Sequence, residues 1–169
     1  FMRNYGFTTF TNVTVGSGYD TFTGVGHEHV TYDFNNDGWL DIMGAGNVIM
    51  INNGNMTFTQ SPVPAGIGAM GDLNNDGFWD IVNEGTIYMN TGNNNNYLKV
   101  RTIGTVSNRD GIGARVEVIT AQGNQIRDVR AGEGFRYMSS IGAYFGLGLT
   151  DAITEVIVRW PSGIVDHIM

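Results

Sequence analysis

The sequence has no cysteine and only one lysine, Lys99, among 169 residues. Without cysteine there is no disulfide framework, no thiolate zinc cluster and no cysteine nucleophile. Apolar runs stop at about four or five residues, far short of the ~20 a membrane helix needs, so no membrane insertion is expected. Good helix formers are scarce beside 25 glycines and many asparagines, a turn-rich composition that predicts an all-β chain. The formal charge of −7 and a pI near 4.7 argue against nucleic acid as a partner. No phosphate loop, nucleophile motif or paired acid–base constellation is present. Gly111-Ile112-Gly113 is too short for a phosphate cradle and precedes a strand. No catalytic activity and no catalytic residue is expected.

What charge there is sits unevenly. Residues 1–96 carry nine acids against one base, Arg3, whereas residues 97–169 carry seven acids and eight bases. Six of those nine acids fall in two nine-residue windows, and carboxylates gathered at fixed intervals need something to neutralise them. The run Asn93-Asn94-Asn95-Asn96 marks the change in composition. It predicts two units, 1–95 and 96–169. Phe1 opens the chain without a basic-plus-apolar leader, and Ile164 to Met169 still read as strand, so the sequence reads as a piece of a longer one.

The acidic windows are copies of each other. Asp33–Ile42 reads DFNNDGWLDI and Asp72–Ile81 reads DLNNDGFWDI, 39 residues apart. A second element travels with them: Ile49-Met50-Ile51-Asn52-Asn53-Gly54, then Ile87-Tyr88-Met89-Asn90-Thr91-Gly92, with a first copy at Phe1-Met2-Arg3-Asn4-Tyr5-Gly6. Each reads as an apolar strand entering an Asn-x-Gly hairpin. Thr-Phe-Thr strands follow two of them, at Thr9-Phe10-Thr11 and Thr57-Phe58-Thr59. The unit is therefore strand, acidic loop, strand, hairpin, strand, with the period of a β-repeat array such as propeller blades.

Within each loop the oxygens fall at alternate positions. Counting the first aspartate as one, positions 1, 3, 5 and 9 are Asp33, Asn35, Asp37 and Asp41, and in the second copy Asp72, Asn74, Asp76 and Asp80. Glycine at position 6, Gly38 or Gly77, permits a sharp bend, and position 7, Trp39 or Phe78, can add a backbone carbonyl. Three carboxylates, an amide, a carbonyl and water make the six or seven hard oxygens that Ca²⁺ takes, so two calcium sites are expected. No His or Cys in either loop favours a softer metal. An EF-hand is ruled out, because position 12 is Gly44 or Asn83 where that loop needs a bidentate Glu, and the flanks are β-like. The plain alternative is that Asp, Asn and Gly form polar turns; two copies with one ligand pattern weigh against it.

These loops, with their Asn-x-Gly elements, resemble the FG-GAP or VCBS repeat of integrin α-chain propellers and bacterial surface proteins. The segment from Asn96 onward resembles the ASPIC/UnbV domain, on Ser107-Asn108-Arg109-Asp110, Gly111–Val116, Val129-Arg130-Ala131-Gly132, Phe145-Gly146-Leu147-Gly148 and Arg159-Trp160-Pro161-Ser162-Gly163. The resemblance implies a calcium-stabilised extracellular or cell-surface module for adhesion, with a protein or glycan partner and no catalytic activity. The alternative is an accessory, non-catalytic domain of a larger secreted enzyme. Two repeats fall short of a closed seven-bladed ring, so an incomplete propeller is expected, with open edges that could self-associate.

The second half reads as strands in its own right: Tyr97–Ile103, Ala114–Val118, Ile126–Arg130 after a Gln122-Gly123-Asn124 turn, Tyr144–Leu149 and Glu155–Trp160. A small sandwich or barrel is expected. Three other features have two readings each. His27 and His29 could share a strand face as ligands or simply lead into the loop. Asn108-Arg109-Asp110 could hold a carboxylate or form a salt-bridged turn. Trp39, Phe78 and Trp79 could stack on sugars or pack between layers. Calcium is expected to be structural, and its loss to loosen the repeats before the C-terminal part.

Overall fold

A computed structural model describes residues 2–4, 6, 8–24, 28–132 and 136–169. His27, Phe1 and Tyr5 lie outside the described residues. The chain is essentially all-β, as the glycine and asparagine content implies. Its one helical turn among the described residues is a 3-10 segment at Tyr19–Thr21.

An N-terminal hairpin pairs β1 (Met2–Asn4) with β2 (Phe10–Asn12). The first repeat is an antiparallel meander of β3 (His29–Tyr32), β4 (Asp41–Gly44), β5 (Val48–Asn52) and β6 (Phe58–Pro62), in that order across the sheet. The acidic loop joins β3 to β4, whose register sets Tyr32 opposite Asp41. The second repeat has three strands, β7 (Ala69–Gly71), β8 (Asp80–Asn83) and β9 (Thr86–Tyr88).

Two sequence expectations need correcting here. In each repeat two strands, not one, lie between the acidic loop and the Asn-x-Gly element, because Met43 to Met50 and its counterpart in the second repeat are each broken by a turn. Gly46 and Asn47 turn the first with φ of 115° and 57°; Glu84 and Gly85, at 48° and 80°, do the same in the second repeat. Both are backbone positions that favour glycine or asparagine. The second correction concerns Asn90-Thr91-Gly92, which does not close a hairpin. Asn52 to Gly54 does lead from β5 back into β6, but beyond Asn90 the chain leaves the repeat altogether.

It continues as β10 (Asn96–Val100), β11 (Arg115–Thr120), β12 (Gly123–Asp128), β13 (Ala143–Gly148), β14 (Glu155–Arg159) and β15 (Val165–Ile168). β10 pairs with β13, and a second sheet runs β12-β11-β14-β15. The turn between β11 and β12 falls at Ala121-Gln122, slightly earlier than Gln122-Gly123-Asn124 suggests, with Thr120 opposite Gly123.

Alternation along the strands builds two cores. One gathers Val30, Tyr32, Phe34, Met43, Ile49, Met70, Trp79 and Ile81 from both repeats, and Tyr144 of β13 joins it. The other joins Val116 and Val118 of β11 and Val156 and Val158 of β14 to Phe145 and Leu147 of β13, with Leu98 and Val100 of β10 packed against it. β13 thus faces both cores. Tyr144 stands 4.3 Å from Trp79 between ring centroids on one side, while Phe145 is fully buried on the other.

Candidate functional site

Each acidic loop is a chain of turns in which side-chain oxygens accept backbone N–H groups. In the first, Asp37 N donates to Asp33 Oδ1 at 3.0 Å and to Asn35 Oδ1 at 3.2 Å. Gly38 N donates to Asp33 Oδ2 at 2.8 Å, and Trp39 N to Asp37 Oδ1 at 2.8 Å. The Asn35 amide then reaches Asp37 Oδ2 at 2.9 Å. Asp33, Asn35 and Asp37 are in this way drawn to one side of the bend, which Gly38 makes possible with a φ of 95°. The second loop repeats part of the pattern: Asp76 N to Asn74 Oδ1 at 3.2 Å, Phe78 N to Asp76 Oδ1 at 2.9 Å, and Asn74 Nδ2 to Asp76 Oδ2 at 2.8 Å.

The ninth-position aspartates are the most deeply buried of the loop acids, with Asp41 still near enough for the charges of Asp33 and Asp37 to act on it. Asp41 and Asp80 are completely buried. Asp41 accepts Phe34 N at 2.9 Å and Asn52 N at 2.8 Å, and Asp80 accepts Leu73 N and Asn90 N, both at 2.8 Å. Each carboxylate therefore ties the start of its loop to the chain eleven or ten residues further on. Asn52 and Asn90 return the contact, donating to the carbonyls of Leu40 and Trp79 at 3.1 and 3.5 Å and accepting Gly54 N and Gly92 N. This is the role of the repeated Asn-x-Gly element that sequence reasoning assigned to hairpins alone.

Burial dominates the electrostatics. Desolvation pushes the Asp33 carboxyl up to about 6, against the lowering effect of the Gly38 N–H, and the Asp37 charge adds to the rise. Asp41 is pushed up to about 7 by desolvation, with the Asn52 and Phe34 N–H groups opposing. Carboxylates held this way favour a neighbouring cation.

The C-terminal part supplies one to each loop. Arg127 of β12, held by Gln125 Oε1 at 3.1 Å and standing 5.2 Å over the Phe145 ring, acts on Asp33 through its charge. Lys99 Nζ of β10 lies 3.5 Å from Asp72 Oδ2. The Asp72 side chain is only 1% exposed, and its Oδ1 is buried with no hydrogen-bond partner among the described residues.

Loop 33–38 is also where the parts of the chain meet. Asn36, buried and at a φ of 55°, donates from Nδ2 to the Gly77 carbonyl at 3.2 Å and accepts Gly148 N at 2.8 Å. Asn93 and Asn95 both donate to the Asn35 carbonyl at 2.8 Å, and Asn90 to that of Phe34 at 3.0 Å. The asparagine run thus forms a fitted brace across the first loop. Sequence reasoning missed the parts played by Asn36, Lys99 and Arg127; the one available signal was the second asparagine of each Asn-Asn-Asp-Gly.

The other candidates divide. Phe78 and Trp79 are buried and pack, while Trp39 is 53% exposed. Asn108 closes its turn through Ile112, donating to the carbonyl at 2.7 Å and accepting the N–H at 2.8 Å, so the turn rests on an amide rather than an Arg109–Asp110 pair. His29 lies 5.9 Å from the Phe22 ring.

Among the described residues no three or more His, Cys, Asp or Glu side chains gather into a cluster able to hold a metal. The oxygen-only donors of the loops nevertheless suit a hard cation, and Asp72 Oδ1, without a partner among the described residues, is a demand for one. No helix among the described residues is long and apolar enough to cross a membrane.

The family model of the FG-GAP-like repeat matches residues 33–83, spanning both acidic loops, and that of ASPIC and UnbV matches residues 104–169. No curated protein matches the chain. Both families consist of structural and adhesion modules and not of catalytic domains. The chain contains an FG-GAP-like repeat followed by an ASPIC and UnbV domain.

Proposed function

We propose that the chain is a secreted or cell-surface recognition module whose two acidic loops hold calcium for structural reasons. The observation that carries this reading is the repeated all-oxygen loop, in which one copy keeps a buried carboxylate oxygen without a partner among the described residues. Asp33, Asn35, Asp37 and the Trp39 carbonyl would hold one ion, and Asp72, Asn74, Asp76 and the Phe78 carbonyl the other, with Asp41 and Asp80 beneath them. The ion supplies charge that offsets the crowding of carboxylates in a desolvated loop.

The same reading treats 1–95 as propeller-type repeats and 96–169 as a β-sandwich. The first repeat's four-stranded meander supports the blade assignment, and a core drawn from both C-terminal sheets supports the sandwich. The division at 95/96 gains support from β10, which precedes the matched ASPIC and UnbV segment yet pairs with β13 inside it. A protein or glycan partner fits the surface beside the first loop. There Trp39 borders a cavity of about 550 Å³ with Asp37, Asn124, Gln125 and Asp151, an exposed aromatic plate among amides and acids.

Thermal unfolding with calcium and with chelator tests the metal assignment. A ligand at a hundredfold excess over its Kd adds about 2.7 kcal/mol per site. For a chain of this size that is about 5–10 °C of melting temperature for each loop. Asp37→Ala and Asp76→Ala should each remove one loop's share. Because the first loop braces both parts of the chain, the shift should be seen together by probes in each, rather than in the repeats first. Identical curves with and without chelator, on protein shown beforehand to bind calcium, would remove the structural role.

A further inference from the structure

We propose that the two acidic loops are unequal cation sites, and that the Lys99 ammonium is a built-in competitor that occupies the second until a divalent cation displaces it. The inference rests on the calcium reading above and concerns how the chain's own residues set that site.

The loops are nearly identical in sequence, yet their first aspartates are satisfied differently. Both oxygens of Asp33 accept backbone N–H groups, from Asp37 and Gly38. Asp72 has instead one oxygen 3.5 Å from Lys99 Nζ and one buried oxygen with no partner among the described residues. A buried carboxylate left half-satisfied is costly, and one ammonium at that distance meets only part of its demand. A divalent cation reached by both oxygens meets more of it. The first loop has no equivalent vacancy in its hydrogen bonding.

The two organic cations also differ in how easily they leave. Arg127 is half-buried, donates to the Ile126 carbonyl at 2.9 Å and to Gln125, and stacks over Phe145. Lys99 is shared between two side chains, Asp72 Oδ2 at 3.5 Å and the Tyr144 side chain, so leaving the carboxylate does not strand it. Its side chain is 37% exposed, and Nζ already lies 4.9 Å from the Tyr144 ring centroid, an alternative resting place for a cation. A cavity of about 400 Å³, lined by Asp72, Lys99, Arg101, Asp110 and Tyr144, gives the ammonium room to withdraw. Since β10 carries Lys99 and pairs with β13, the exchange links filling of the second loop to the C-terminal part.

Because Lys99 is the chain's one lysine, its ε-amine can be followed without a variant. The full chain is pulse-labelled with an amine-acylating reagent across a calcium titration, and acylation of Lys99 is read by mass spectrometry. Labelling should rise severalfold with a midpoint at the weaker of two calcium sites, and sodium chloride at equal ionic strength should not reproduce it. In parallel, calcium titration calorimetry of Lys99→Met should show that weaker site tightened about five- to tenfold with the other unchanged. Two calcium ions bound with no change in Lys99 labelling would overturn the competition while leaving the calcium reading intact. A Lys99→Met site of unaltered or weaker affinity would do the same. Absence of calcium binding by the unmodified chain would remove both.

Discussion

Gly146→Val should destabilise the chain by about 3 kcal/mol or more and detach the C-terminal part from the first acidic loop. Gly146 sits inside β13 in ordinary extended backbone, so conformational freedom is not the reason for a glycine there. The reason is distance. A Cβ on Gly146 would overlap Asp33 Oδ2 and the backbone of Asn36. Neither can yield cheaply, since Asp33 is held by two N–H groups and Asn36 is buried between Gly77 and Gly148. Relief requires β13 to lift away. That breaks the bond from Gly148 N to the Asn36 carbonyl, at 2.8 Å, and the one from Gln125 Nε2 to the Gly146 carbonyl, at 2.6 Å. It also pulls Tyr144 from beside Trp79. For a chain of this size the loss corresponds to roughly 6–12 °C of melting temperature. Limited proteolysis should at the same time open the segment 90–96, whose asparagines lose the loop they brace. A variant that melts like the unmodified chain and resists the protease there would show that the two parts meet without depending on this contact.

That contact was illegible in the sequence, and the reason is physical. The acidic loops, the 39-residue repeat and the C-terminal strands are local patterns, and local patterns can be read from spacing. Asn93 to Asn96 reads as a solvated junction because composition does not distinguish an amide in water from one bonded to a carbonyl 58 residues away. Phe145-Gly146-Leu147-Gly148 carries the family resemblance, but nothing in it says that the glycine's bare face meets an aspartate of the first repeat. The extra strand in each repeat was readable in principle. Gly46-Asn47 and Glu84-Gly85 are turn dipeptides, hidden by the longer apolar runs around them. Asn90-Thr91-Gly92 misled for the opposite reason. It keeps the local bonds of its counterpart at Asn52 to Gly54, but whether a strand returns afterwards is decided by what the chain does next.

Asp41 and Asp80 present the sharpest ambiguity. By spacing they are the ninth-position metal ligands, and in the fold they are buried acceptors for four backbone N–H groups. Chelation separates the two roles. With calcium removed, Asp37→Ala should cost only about 1 kcal/mol, the share of its bonds with Trp39 N and the Asn35 amide at the partly exposed loop mouth. Asp41→Ala should still cost about 3–5 kcal/mol, since it strands the N–H groups of Phe34 and Asn52 in a buried setting and each loses a bond to a charged partner. Asp41→Asn makes the comparison stricter. It is nearly isosteric and keeps one acceptor, but its NH₂ must then face a second N–H donor, so most of the destabilisation should persist. Asp80→Asn should behave alike at Leu73 and Asn90. The measurement is denaturant unfolding of each variant in excess chelator, referred to the unmodified chain under the same conditions. If Asp41→Asn and Asp80→Asn are then as stable as the unmodified chain, the carboxylates matter only through the ion. If both remain destabilised, β4 and β8 are held by these carboxylates whether or not the loops above them are filled.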